Sequence, residues 1–167
     1  MARKNFAVAA LLSAAVLVLS GCATGFNAAT NAQGDSGNGR SVDVGAIQIR
    51  NATVVADAAD PSRATVLMTV INTDDAKDDV LNGVVVADSV SVAGEVSIPL
   101  SSKDVVNVGF DSEYRIVITS VGNELKPGTY VNLSFQFASG QSVPMSLLIN
   151  DKSGFYEEME IPAPSAS

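Results

Sequence analysis

Period-two alternation near the end of the chain constrains its fold more than any other feature. In 130–137, Val131, Leu133, Phe135 and Phe137 share one parity while Asn132, Ser134 and Gln136 share the other, the pattern of a strand with one buried face. Ser139 and Gly140 then supply turn chemistry, and Val143, Met145, Leu147 and Ile149 resume the alternation, so the two runs predict a β-hairpin. Pro144 cannot donate to a ladder, which places it at an edge or a strand start. Similar runs at 46–55, 64–71, 80–86, 90–99, 105–108 and 113–119 are separated by Asn, Asp, Gly and Pro. The expected fold class is all-β, a single antiparallel β-sandwich or Greek-key barrel spanning 42–161. No convincing helix follows residue 22, and no internal repeat is visible.

Composition narrows the chemistry. The chain has no His, which removes the commonest general base, the commonest zinc ligand and every Ser-His-Asp or Cys-His arrangement. Its net charge of −8, without a basic cluster, leaves nothing to neutralise a phosphate backbone, so nucleic acid is excluded as a partner. Aromatic residues make up 5% and Trp is absent, which argues against stacking platforms for bases or sugars. The expectation is an acidic domain that is not an enzyme.

Residues 1–21 read as an export signal. Arg3 and Lys4 precede an apolar run at 6–19, which is short of the about 20 apolar residues that a spanning helix needs. Leu19-Ser20-Gly21-Cys22 then resembles the bacterial lipobox, in which the Cys is lipidated before cleavage just in front of it. An ordinary secretory signal with a stray Cys is the plainer alternative, but the chain's single Cys falls at the end of the apolar run in a small-residue context. Lipidation of Cys22 would supply two acyl chains, enough for stable anchoring at the extracytoplasmic side of the cell membrane. Residues 22–41, rich in Gly, Ala, Asn, Ser and Thr, read as a flexible linker with an r.m.s. span of roughly 25 Å. A frayed tail is expected at 162–167.

Three side-chain groups could carry chemistry. Asp74, Asp75, Asp78 and Asp79 are dense enough to raise the question of calcium, but the spacing fits no EF-hand and Lys77 sits among them, so a solvated turn is the reading. Glu157, Glu158 and Glu160 read as a solubilising edge. Met68, Met145 and Met159 are thioethers, which suit Cu(I), although Met68 and Met145 fall on apolar strand faces where core filling is the usual role.

The segment 64–149 resembles the PCu(A)C periplasmic copper-chaperone domain. The resemblance rests on ATVLMTVIN, an acidic turn followed by DDVLNGVVV, a short VSV, then VSIPL, DVVNVG, EYRIVITSVGNELKPGTYVNLSFQF and a closing SVPMSLLI. Its most specific piece is Leu125-Lys126-Pro127-Gly128, and in detail the chain is most similar to the LpqE-type lipoproteins of mycolic-acid bacteria. The resemblance implies a cupredoxin-like fold and, in family members, copper held by two His and two Met. Carried across, the first His position falls at about Ala93, the following Met lies in a segment missing between Ala93 and Glu95, and the His-x-Met pair falls at Arg115 and Val117. None of these residues is a copper ligand, and Arg115 would put a permanent cation where a cation should bind. No metal and no cofactor are therefore expected.

For LpqE-type proteins the resemblance implies a place beside the respiratory cytochrome bc/oxidase supercomplex. The expectation is a membrane-anchored, copper-free interaction module acting as an accessory or assembly subunit there. Two rivals stay open: a metallochaperone that uses Met68, Met145 and Met159, and a solute-binding lipoprotein. Within 113–119 the Tyr114, Ile116 and Ile118 set is the more apolar, so Arg115 and Val117 are expected to face outward as a candidate interaction face, or simply to cover the sheet.

Overall fold

The computed structural model describes residues 39–86, 90–122 and 124–163. The export signal, Cys22, the linker as far as residue 38 and the last four residues of the tail lie outside the described residues. Ten strands follow one another: β1 (Arg40–Val44), β2 (Ile47–Asp57), β3 (Asp60–Asn72), β4 (Asp79–Val86), β5 (Val90–Ala93), β6 (Ile98–Leu100), β7 (Val105–Val108), β8 (Ile116–Ser120), β9 (Tyr130–Phe137) and β10 (Ser142–Asp151). Among the described residues the one helical element is a 3₁₀ turn at Gly154–Tyr156, and no helix is long and apolar enough to cross a membrane.

The ladder runs β5-β8-β3-β2-β10-β9-β4-β6, with β1 added to β2 and β7 added to β3. One layer holds β5, β8, β7, β3, β2 and β1, the other β10, β9, β4 and β6. β10 joins them: it pairs with β9 in antiparallel fashion through most of its length, then runs parallel to β2 from Ile149 to Asp151. The result is a sheet curled on itself, an all-β fold of the expected class.

The hairpin read from the alternation forms as expected. Val143 lies opposite Phe135, Met145 opposite Leu133 and Leu147 opposite Val131, all six facing the core. Phe135 is fully buried, and truncating such a side chain costs about 3–5 kcal/mol because a cavity replaces its contacts. Pro144 pairs with Ser134 and lies outside the β2 ladder of β10, so its missing N–H falls on an unpaired edge.

Two runs depart from the pattern. The run at 90–99 is two strands: β5 pairs with β8 in one layer and β6 with β4 in the other. Gly94 between them has φ +83°, a left-handed conformation that turns the chain between layers. Val90, Val92, Val96, Ile98 and Leu100 keep one parity across the break, so alternation could not report it. At the start, β1 includes Arg40 and Ser41, which the sequence assigns to the linker. A bulge near Asn51 shifts the β2 register, so that Ile47 and Ile49, then Ala52, Val54 and Ala56, face the core.

Candidate functional site

The two antiparallel ladders of β8 bring the copper-ligand positions implied by the family resemblance onto one surface. Ala93 lies directly opposite Val117, and Arg115 immediately precedes β8 with the same parity as Val117. These positions offer a methyl, a guanidinium and an isopropyl group, and no soft donor. Arg115 is exposed and, among the described residues, forms no ion pair.

Val117 does not face solvent. It is 7% exposed, which corrects the expectation of an outward Val117 beside Arg115. Ile116 and Ile118 do face the core, so the parity was right, but the opposite face of this strand is covered as well. Val117 stands in a row with Ala93, Thr65, Val55 and Asn150 across four ladders. Thr65, Val55 and the nearby Thr53 are buried outside the core cluster. Their polar groups are satisfied within the sheet: the Thr65 hydroxyl donates to the Ile116 carbonyl, and the Thr53 hydroxyl to that of Leu148.

The chain after β10 returns toward the end of β7. Lys152 N–H donates to the Ala56 carbonyl, and Phe155 then meets Phe110, just past β7, with ring centroids 6.0 Å apart. There Phe155 lines a hollow with Asn51 of β2 and Leu67 and Thr69 of β3. Met159 follows and is buried at 2% exposure, while Glu157, Glu158 and Glu160 around it are exposed as expected.

All three thioethers expected as possible Cu(I) donors are buried. Met68 and Met145 are buried members of the core, where they fill space, and Met159 is buried outside that core cluster. Among the described residues no three His, Cys, Asp or Glu side chains converge to hold a metal ion. The acidic turn is occupied with backbone instead. Asp74 accepts from the N–H groups of Ala76 and Lys77, Asp78 from Ser102, and Asp79 from Val80 and Ser139, while Asp75 pairs with Lys103 at 2.9 Å. Backbone N–H bonds to the Asp74 carboxylate hold it below its ordinary pKa.

Between β7 and β8 the surface carries an open hollow of about 550 Å³ that includes Asp104, Asp111, Glu113 and Tyr114 in its lining. Hydrogen bonding to Glu113, partial desolvation and the charges of Glu113 and Asp104 push the Tyr114 phenol above its ordinary value, a sign of a negative local field. Just past β7, Gly109 packs closely against β3. Its φ is +104°, and a Cβ there would lie 2.2 Å from Leu67 Cδ2 and 2.8 Å from the Val66 carbonyl oxygen. Sequence reading missed Phe110 and Phe155 because lone aromatics between strands have no period; only their scarcity elsewhere marks them.

No family model matches the sequence, and no curated protein does. Solved structures do match. The apo PCuAC domain from PmoF1 is 19% identical, with 67% of this chain and 99% of that chain covered and a TM-score of 0.56. The apo PCuAC domain from PmoF2 is 22% identical over 69% of this chain and 98% of that one, at 0.55. The copper-bound PCuAC domain from PmoF2 is 21% identical over 67% and 98%, at 0.53. At these identities the likeness establishes the architecture: the domain has the PCuAC-type, cupredoxin-like β fold.

Proposed function

We propose that the chain is an envelope lipoprotein whose PCuAC-like domain carries no copper and acts by binding a partner protein at the extracytoplasmic face of the cell membrane. The observation that carries this reading is the pairing of Ala93 with Val117 beside Arg115, because the surface where the family resemblance expects copper ligands has none, and Val117 is covered. A fold built for docking with client proteins, stripped of cargo ligands, retains the docking role. The most concrete partner is the respiratory cytochrome bc/oxidase supercomplex, which the chain would serve as an accessory or assembly subunit. Fold alone does not assign that partner, so purification must.

A tagged full-length form, extracted in mild detergent, is expected to co-purify haem and oxidase subunits. The same preparation is expected to withhold no Cu(I) from a chromogenic chelator. Recovery of the protein alone would remove the supercomplex assignment. A tight stoichiometric copper site, lost on Met159→Leu, would replace the interaction module with a metallochaperone.

A further inference from the structure

Two hollows meet at Asn107. One, of about 320 Å³, is lined by Leu67, Phe110 and Phe155 together with the polar Asn51, Thr69 and Asn107. The other is the acidic hollow of Asp104, Asp111 and Glu113, which Asn107 also lines. Neither lining includes a Lys or Arg.

This groove exposes a residue type that is scarce in the chain. Phe155 is 79% exposed and Phe110 38%, and Phe155 also meets Tyr156 edge to face at 5.3 Å. A row of three adjoining rings on the surface of a domain this poor in aromatics is the composition of an interface centre. Asn107 accepts the Thr69 hydroxyl through Oδ1 at 2.8 Å, and among the described residues its amide nitrogen has no partner. It is thus fixed where a backbone carbonyl of an incoming chain could be met.

We propose that groove and hollow together dock an extended segment of a partner protein in which a large apolar residue lies next to Lys or Arg. The proposal rests on the reading of the domain as an interaction module and supplies its docking surface. The apolar side chain enters beside Phe110 and Phe155, and the cation faces Asp104, Asp111 and Glu113, which make no ion pair among the described residues. An anionic lipid surface would meet the same carboxylates and be repelled. A second copy is also disfavoured, because the chain carries 18 acidic against 10 basic residues.

The test uses the full chain in mild detergent and a short labelled synthetic peptide in which Phe alternates with Lys, with a Glu-for-Lys peptide as control. Saturable binding is expected for the first peptide only, weakening about tenfold as salt rises from about 50 to about 300 mM. Phe155→Ser, and separately Asp111→Asn with Glu113→Gln, should each weaken it about tenfold at an unchanged melting temperature. Absence of saturable binding, equal binding of the control peptide, or indifference to both variants would overturn the proposal. So would binding to phosphatidylglycerol vesicles in place of the peptide. The two readings fail separately. Peptide binding without recovery of an envelope complex would leave this surface standing and remove the supercomplex role; recovery of that complex undiminished by Phe155→Ser would do the reverse.

Discussion

Val117 and the neighbouring Arg115 have one parity and opposite fates. Val117 lies within the sheet, between Ala93 and Thr65, and is buried. A carboxylate there would be desolvated with no cation opposite it, so Val117→Asp should destabilise the domain by about 3 kcal/mol or more. Arg115→Glu changes an exposed residue without an ion-pair partner among the described residues and should stay within about 0.5 kcal/mol. Urea titrations of the two variants decide it, and a Val117→Asp midpoint equal to the parent's would show that this face is open. At this scale the sequence was half legible. Alternation identified Ile116 and Ile118 as core, because that depends on one strand's own pleat. Whether the other face is bare depends on what packs over it from elsewhere in the fold, and no local period carries that information.

Elements were read most securely where a single strand or hairpin contains its own explanation. β9 and β10 pair as the alternation implied, whereas the break at Gly94 was hidden by unbroken parity across it. The turn between β3 and β4 shows a third case, in which composition suggested a solvated charge cluster and the structure gives each carboxylate a fastening task. Asp74 caps Ala76 and Lys77, and Asp60, the first residue of β3, accepts from Ser62 and pairs with Arg63 at 3.0 Å. Both carboxyls titrate below the ordinary 3.8: Asp60 chiefly through the Ser62 side-chain hydrogen bond, Asp74 through the backbone N–H groups of Ala76 and Lys77. A depressed folded-state pKa contributes stability that is complete above the unfolded value and is lost as pH falls through the folded one. The urea midpoint should therefore hold between about pH 7 and 5 and drop below about pH 4. Asp74→Ala should lower the midpoint at neutral pH and shallow the acid limb. An acid limb identical to the parent's would show that Asp74 contributes nothing to it.

At the scale of the whole molecule, the resemblance carried the architecture because strand order and the LKPG turn are distributed over most of the domain, whereas a binding role is carried by few residues and reads poorly from pattern. The proposed membrane attachment rests on still less, a single residue. Cys22 is the chain's one cysteine, so no disulfide can brace the domain and no other thiol can take a lipid. Electrostatics works against attachment: without Arg3 and Lys4 the remaining chain has 8 basic and 18 acidic residues, and anionic headgroups repel such a surface. On the proposed lipidation, two acyl chains would overcome that repulsion, since each buried methylene contributes about 0.8 kcal/mol, whereas one chain alone binds marginally. Cys22→Ser would then remove both chains at once. The variant should leave the membrane fraction on a carbonate wash, with its signal retained or cleaved elsewhere by mass spectrometry of the N-terminus, and with a melting temperature equal to the parent's. If Cys22→Ser instead stays with the membrane through the wash, protein contacts hold the chain there, and the docking surface around Phe155 becomes the first place to look for them.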